Sequence, residues 1–208
     1  MTKKILFQGD SITDCGRRDC GGAGFNNWGV GPGYPGMVAA ELWAKYPEQF
    51  EVVNRGISGN RVVDLYARWK VDCLNLKPDV LSILIGVNDT WHELGEGKNG
   101  VEVPRYERIY RELLQWTIDT LPGIEIVLIE PFVGDQEGVA ALVDEVAERR
   151  EVVRKLAKEF NTKLIAGQEL FDEAKKFAPM SYWLADGVHP TPAGHKLLTK
   201  KWLETMGL

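Results

Sequence analysis

Short, almost wholly apolar runs alternate with longer amphipathic stretches along this chain, and that alternation leaves few folds open. The short runs are residues 4–8, 52–54, 80–85, 124–129 and 163–165, rich in Val, Ile and Leu. They lack the in–out alternation of a half-solvated sheet, so they read as strands covered on both faces. Helical patterns lie between them. Residues 35–45 open on Pro35 at a first-turn position. Residues 62–74 carry Val62, Leu65, Tyr66 and Trp69 at helical spacing, and residues 106–120 follow Pro104. Residues 139–160 repeat Leu142, Val143, Val146, Val153 and Leu156, and residues 192–204 close the series. This β-α order predicts a parallel sheet with helices on both faces. Right-handed crossovers favour a five-stranded, doubly wound order, 2-1-3-4-5.

With 208 residues and 44% hydrophobic content, residues 1–208 suffice for one domain with a full core. No repeat, linker or low-complexity tract divides them. The net charge is −5 without a long basic stretch, which argues against a nucleic-acid partner. No apolar run approaches the roughly 20 residues that span a bilayer, so no membrane partner is expected. Met1-Thr2-Lys3-Lys4 leads straight into Ile5-Leu6-Phe7, too short for a signal-peptide core. That segment reads as a strand and the protein as cytoplasmic. Three cysteines, Cys15, Cys20 and Cys73, do not suggest a disulfide framework, and Cys15 and Cys20 lack the spaced partners of a zinc site. Residues 21–36 are too glycine-dense for a helix and read as a loop beside the functional edge.

In a doubly wound sheet, ligands bind beyond the carboxyl ends of the strands. Ser11 follows the first strand, Gly59 the second and Asn88 the third, while Asp186 and His189 lie in the last loop before the final helix. All five therefore fall on one edge. Together they meet the needs of ester cleavage: a nucleophile, a base, a group that orients the base, and donors for the oxyanion. Ser11 supplies the hydroxyl. His189 acts as base and then acid. Asp186, three residues earlier, reaches the other imidazole nitrogen. The Ser11 N–H, the Gly59 N–H and the Asn88 amide form the oxyanion hole.

The ordered set Gly9-Asp10-Ser11-Ile12, Gly59, Gly86-Val87-Asn88-Asp89 and Asp186-x-x-His189 resembles the SGNH, or GDSL-type, hydrolase family across nearly the whole chain. The strings Gly9-Asp-Ser-Ile-Thr-Asp-Cys-Gly-Arg17, Asn54-Arg-Gly-Ile-Ser-Gly59 and Asp186-Gly-Val-His-Pro190 further resemble its acetylxylan esterase branch. The resemblance implies a three-layer α/β/α, flavodoxin-like fold, no metal, no organic cofactor, and the same roles for Ser11, Gly59, Asn88, Asp186 and His189. Ile12 stands where the family motif has leucine.

Each residue has a plainer reading. Ser11 has the residue type of a helix N-cap. Asn88 fits a turn, and Asn88-Asp89-Thr90 matches a glycosylation sequon. Gly59 suits a tight turn. Ser58 is a rival serine that reads as a loop hydrogen-bonder. Cys15 is a rival thiol whose plain role is packing. His92, four residues past Asn88, is a candidate pocket-lining residue whose plainer reading is an exposed loop histidine, and His195 reads as structural. Residues 31–36 match a dinucleotide fingerprint but do not follow a strand directly. Arg17 and Arg61 are candidate substrate contacts or solvated loop arginines. Trp28, Trp91 and Trp183 lie near the mouth and are candidates for stacking on sugar faces.

The expectation is a serine esterase that takes short acyl groups, acetyl above all, from carbohydrate hydroxyls. Its partner is a small-molecule or oligosaccharide ester, and homo-oligomer formation stays open. Activity should fall as acid protonates the base, near pH 6.5 or below. The alternatives are a lipid-directed esterase of lysophospholipase or thioesterase type, and a non-catalytic carbohydrate-binding protein.

Overall fold

The computed structural model describes residues 2–17 and 28–208. Its strands are β1 (Lys3–Gly9), β2 (Phe50–Asn54), β3 (Val80–Leu84), β4 (Glu125–Ile129) and β5 (Lys163–Ile165). They form one sheet in the order β2-β1-β3-β4-β5, and every neighbouring pair is parallel. The doubly wound order read from the alternation is the order observed.

The helices are α1 (Ser11–Asp14), α2 (Tyr34–Lys45), α3 (Val62–Asp72), α4 (Val87–Leu94), α5 (Val103–Thr120), α6 (Val143–Glu159), α7 (Gly167–Ala174), α8 (Met180–Trp183) and α9 (Pro192–Met206). Two apolar layers sandwich the sheet. Strand β1 shows the division: Ile5 and Phe7 enter the layer under α2 and α9, and Leu6 enters the layer under α3 and α5. Successive side chains on a strand point to opposite faces, so a strand covered twice must be apolar throughout. Each large side chain so buried contributes about 1.5–3 kcal/mol. The two buried indoles have polar partners as well: Trp202 donates to Ser82 Oγ at 3.1 Å and Trp69 to Thr117 Oγ1 at 2.9 Å.

Three sequence expectations are corrected. The stretch 139–160 is a 3₁₀ turn, Glu137–Leu142, followed by α6. A three-residue period puts Val139 and Leu142 on one face, and both enter the α2/α9 layer. Residues 62–74 end their α-helix at Asp72, and a 3₁₀ turn, Leu74–Leu76, follows. The glycine-dense stretch is not all loop, because α2 begins at Tyr34 and includes Gly36. The carbonyl of Gly31 occupies the space a Cβ on Gly36 would need. The composition there reflects close packing against the helix's first turn. Helices α1, α4, α7 and α8 lie outside the stretches with a helical apolar period. Among the described residues no helix is long and apolar enough to cross a membrane.

Candidate active site

The carboxyl ends of β1, β2 and β3 form the floor of the site. At the end of β1, Gly9 has the Leu84 carbonyl and the Thr13 hydroxyl where a side chain would stand. The chain then turns into α1. Asp10 is its N-cap and accepts from the Ile12 N–H at 3.0 Å. Ser11 is therefore the first helical residue, not the cap. Asp10 is buried, and burial pushes its carboxyl up to about 7, against the opposing pull of the Ile12 N–H and the His189 charge.

Beyond β2 the chain keeps pairing with β1. The Arg55 N–H donates to the Phe7 carbonyl at 2.8 Å, and the Ile57 N–H to the Gly9 carbonyl at 3.1 Å. The buried Asn54 amide donates to the carbonyls of Thr13 and Val30. These bonds press the Gly56–Gly59 turn against α1, where Gly56 has no room for a side chain. Gly59 has φ +82°, a backbone that an L side chain resists. Ser58, the rival serine, donates its N–H and hydroxyl to Asp14 at 3.0 and 2.8 Å.

Ser11 Oγ lies 2.8 Å from His189 Nε2, and His189 Nδ1 lies 2.7 Å from Asp186 Oδ2. An ionised carboxylate only accepts, so Nδ1 carries the proton and Nε2 presents its lone pair to the Ser11 hydroxyl. Asp186 Oδ1 also accepts the N–H groups of Val188 and His189. Burial works against its charge, but these N–H groups and the imidazole prevail, and the carboxyl is held below its usual range. Three ties fasten this loop to the body. Gly134 donates to the Gly187 carbonyl, the Gln136 amide to the Leu184 carbonyl, and Thr191 to the Trp183 carbonyl. The His189 and Asp186 side chains are 41% and 51% exposed, so the relay opens to solvent and to large molecules.

Helix α4 brings the third block. Asn88 is buried and donates one amide hydrogen to the Asn60 carbonyl at 3.1 Å, which leaves the second for a ligand. One turn on, the Trp91 ring lies 6.2 Å from the His189 ring. His92 Nε2 is 4.0 Å from where a Cβ on Gly59 would stand. Residues 88, 91 and 92 share one face of α4, so His92 is a helical residue at the site and not a loop residue. With a base and its orienter beside the Ser11 hydroxyl, and the Gly59 turn and Asn88 on the same edge of the sheet, the rim has the group types needed to attack a carbonyl and hold an oxyanion.

Other candidates are engaged elsewhere. His195, on α9, accepts the Tyr34 N–H at Nδ1, 3.1 Å, so the neutral ring carries its proton on Nε2. That nitrogen is 3.3 Å from Cys15 Sγ. Burial, with the His189 charge, lowers the His195 pKa to about 4. Burial, with Asp14, raises that of Cys15. The thiol thus faces a donor and not a base, which removes its means of activation. Arg61 gives its Nε and Nη2 to Asp64 and its Nη1 to the Asn99 carbonyl. Arg17 donates to the Gly56 carbonyl at 2.6 Å. Both arginines brace the loops of the site. Trp183 Nε1 bonds the Ala178 carbonyl, and its ring packs on the core. Cys20 and the Trp28 side chain lie outside the described residues. Sequence reasoning passed over Asp10 and Asp89, whose signal was a carboxylate set among residues that fold inward.

A five-stranded parallel sheet with this cluster beyond its carboxyl edge is the α/β architecture of a GDSL-type hydrolase. The chain belongs to the GDSL-like lipase/acylhydrolase family, matched over residues 7–197. It is 38% identical over 212 aligned positions to an acetylxylan esterase of Geobacillus stearothermophilus, covering 99% of this chain and 94% of that protein. The crystal structure of that esterase superposes with a TM-score of 0.89 at 37% identity, over 99% of this chain and 94% of the other. A GDSL-like lipase structure from Parabacteroides merdae superposes with a TM-score of 0.90 at 45% identity, covering 100% and 97%. The chain is accordingly a carboxylic ester hydrolase.

Proposed function

We propose that residues 1–208 act as one catalytic domain that removes short acyl groups, acetyl foremost, from carbohydrate hydroxyls through an acyl-enzyme on Ser11. The observation that carries the reading is the unbroken relay from Ser11 Oγ to His189 Nε2 at 2.8 Å and from His189 Nδ1 to Asp186 at 2.7 Å. His189 takes the hydroxyl proton as Ser11 Oγ bonds to the ester carbonyl carbon. The carbonyl oxygen becomes the oxyanion and is met by the N–H groups of Ser11 and Gly59 and the free amide hydrogen of Asn88. When the tetrahedral centre collapses, the bond to the alcohol oxygen breaks and His189 Nε2 returns the proton to it. Water then enters by the same steps, and Ser11 is released with the carboxylic acid. Asp186 holds the imidazole in the required tautomer and stabilises its charged form.

The substrate class is supported by the relative that is named an acetylxylan esterase. Solved structures of that enzyme include variants described as catalytic mutants, in which a serine, an aspartate and a histidine were each changed to alanine; the aspartate precedes the histidine by three positions. Asp186 and His189 have the same spacing. The half-exposed relay suits a bulky sugar alcohol, and Trp91 beside His189 offers an apolar ring at its edge.

Ser11→Ala should abolish p-nitrophenyl acetate cleavage and labelling by a serine-reactive phosphonate. Wild-type enzyme should release acetate from acetylated xylo-oligosaccharides faster than from lipid esters. Full activity in Ser11→Ala would end the mechanism. Activity that rises with acyl-chain length would end the sugar-acetyl reading and favour a lipid-directed esterase. Failure of the wild-type chain to react with the phosphonate would favour a non-catalytic binding protein.

A further inference from the structure

Gly59 lies in the turn after β2 and Asn88 on α4 beyond β3, yet both must meet one oxygen atom. The distance between them is set by what ties α4 to the turn that ends at α3. One tie is the Asn88 amide on the Asn60 carbonyl. A second lies two residues further on. Val62 is the first residue of α3, and its N–H is one of the orphan donors of a helix start. Arg61, in the N-cap position, has no side-chain oxygen to offer. The N–H of Val62 is instead met by the next residue of α4, Asp89, whose Oδ1 and Oδ2 stand at 3.0 and 3.3 Å.

Asp89 is wholly buried, and a buried carboxylate on one N–H is costly unless other groups support it. Burial pushes the Asp89 carboxyl up to about 7, against the pull of the Val62 N–H and of Arg149, and its backbone is held from the other side. The Asp89 carbonyl accepts the Val101 N–H at 2.8 Å, and the Val101 carbonyl accepts from Arg149 Nη2 at 2.5 Å. Arg149 is itself buried on α6 and lies near enough to favour the Asp89 charge. Arg61 Nη1 reaches the neighbouring Asn99 carbonyl. A brace thus runs from α6 through residues 99–101 and Asp89 to the start of α3, three residues beyond Gly59.

We propose that Asp89 is a positioning residue for the oxyanion site: its carboxyl oxygens cap α3 from outside and fix Gly59 at the right separation from Asn88. The proposal rests on the serine-esterase reading above. Asp89 touches no reacting atom, so its loss should alter the fit of the transition state and leave ground-state binding largely intact.

The test is a set of variants assayed on p-nitrophenyl acetate, with Ser11→Ala as the control for the underlying mechanism. Asp89→Ala should lower kcat by about 10- to 100-fold, with KM within about twofold. Asp89→Asn keeps an acceptor for Val62 and should restore most of that loss. In an Asn88→Ala background, where the oxyanion site is already broken, Asp89→Ala should cost less than about threefold. Should Asp89→Ala fail to fold, Val62→Pro removes the donor instead. Proline is tolerated at the first helical position, and Arg61 already has the extended backbone that proline requires before it (ψ 174°). Val62→Pro should give the same kcat loss. Equal losses in the wild-type and Asn88→Ala backgrounds, no recovery in Asp89→Asn, or unchanged kcat in Val62→Pro would each overturn the proposal. An active Ser11→Ala would instead overturn the reading on which it rests.

Discussion

His195 provides a quantitative test of how this site is built. The residue is 5% exposed, and its pKa is lowered to about 4, first by burial and then by the charge of His189. In the unfolded chain a histidine has a pKa of about 6.5. Between those values the unfolded state takes up a proton that the native state refuses. Stability supplied by His195 is therefore complete above about pH 6.5 and is lost as pH falls toward 4. The gap corresponds to about 3 kcal/mol when fully expressed, and about 2 kcal/mol between pH 7 and pH 4.5. Asp10 and Asp89 oppose this trend. Burial raises both to about 7, so the native state holds their protons more tightly and gains stability as pH falls from about 7. The contribution of His195 must therefore be read as a difference between proteins. His195→Asn keeps an oxygen near Nδ1 to accept the Tyr34 N–H but cannot titrate. Urea unfolding followed by tryptophan fluorescence, at about pH 7 and about pH 4.5, gives the comparison. Wild type should lose about 2 kcal/mol more than the variant over that interval. A difference under about 0.5 kcal/mol would refute the claim that His195 is held neutral by burial.

Two further changes test the geometry. Asp186→Asn keeps an acceptor for the Val188 and His189 N–H groups but turns the partner of Nδ1 into a donor. The imidazole should change tautomer and kcat should fall on the order of a thousandfold or more, measured on p-nitrophenyl acetate, while a loss below about tenfold would remove Asp186 from the relay. Gly59→Ala places a Cβ on a backbone at φ +82°; thermal unfolding should show a loss of about 1–2 kcal/mol and kcat should fall at least about tenfold, and an unstrained, fully active variant would exclude this turn from the oxyanion site.

The sheet was legible because its strands are covered on both faces. Ile5, Leu6 and Phe7 cannot alternate with polar residues when both sides of β1 are core, and that uninterrupted pattern survives any uncertainty at the strand ends. The β5 bounds match the expected 163–165, and β4 differs by one residue. The short helices were not legible. Helix α1 holds four residues and begins at a cap, Asp10, that the eye takes as part of a catalytic motif. Helix α4 is eight residues long, and its first turn, Val87 to Thr90, is buried all round although three of those four residues are polar. Polar burial of that kind is invisible to hydrophobic periodicity. The five site residues could be placed on one edge because topology alone does so. Which groups brace them could not, since the ties of Asp89 to Val62 and of Arg149 to Val101 involve backbone atoms that every residue possesses. The arginines illustrate the same limit: nearness to the motifs suggested substrate contact, whereas the bonds of Arg61 to Asp64 and Asn99 hold the loop itself.

The bond between Ser11 and His189 joins positions 178 residues apart. On a ribosome, the nucleophile and both its partner loops would emerge long before the imidazole that makes the hydroxyl reactive. A nascent fragment that stops short of the last loop lacks both that imidazole and α9, which covers one face of the sheet. On the proposed relay, ester cleavage needs residues 186–189 docked against α1, so its onset would report the closing of that long-range contact.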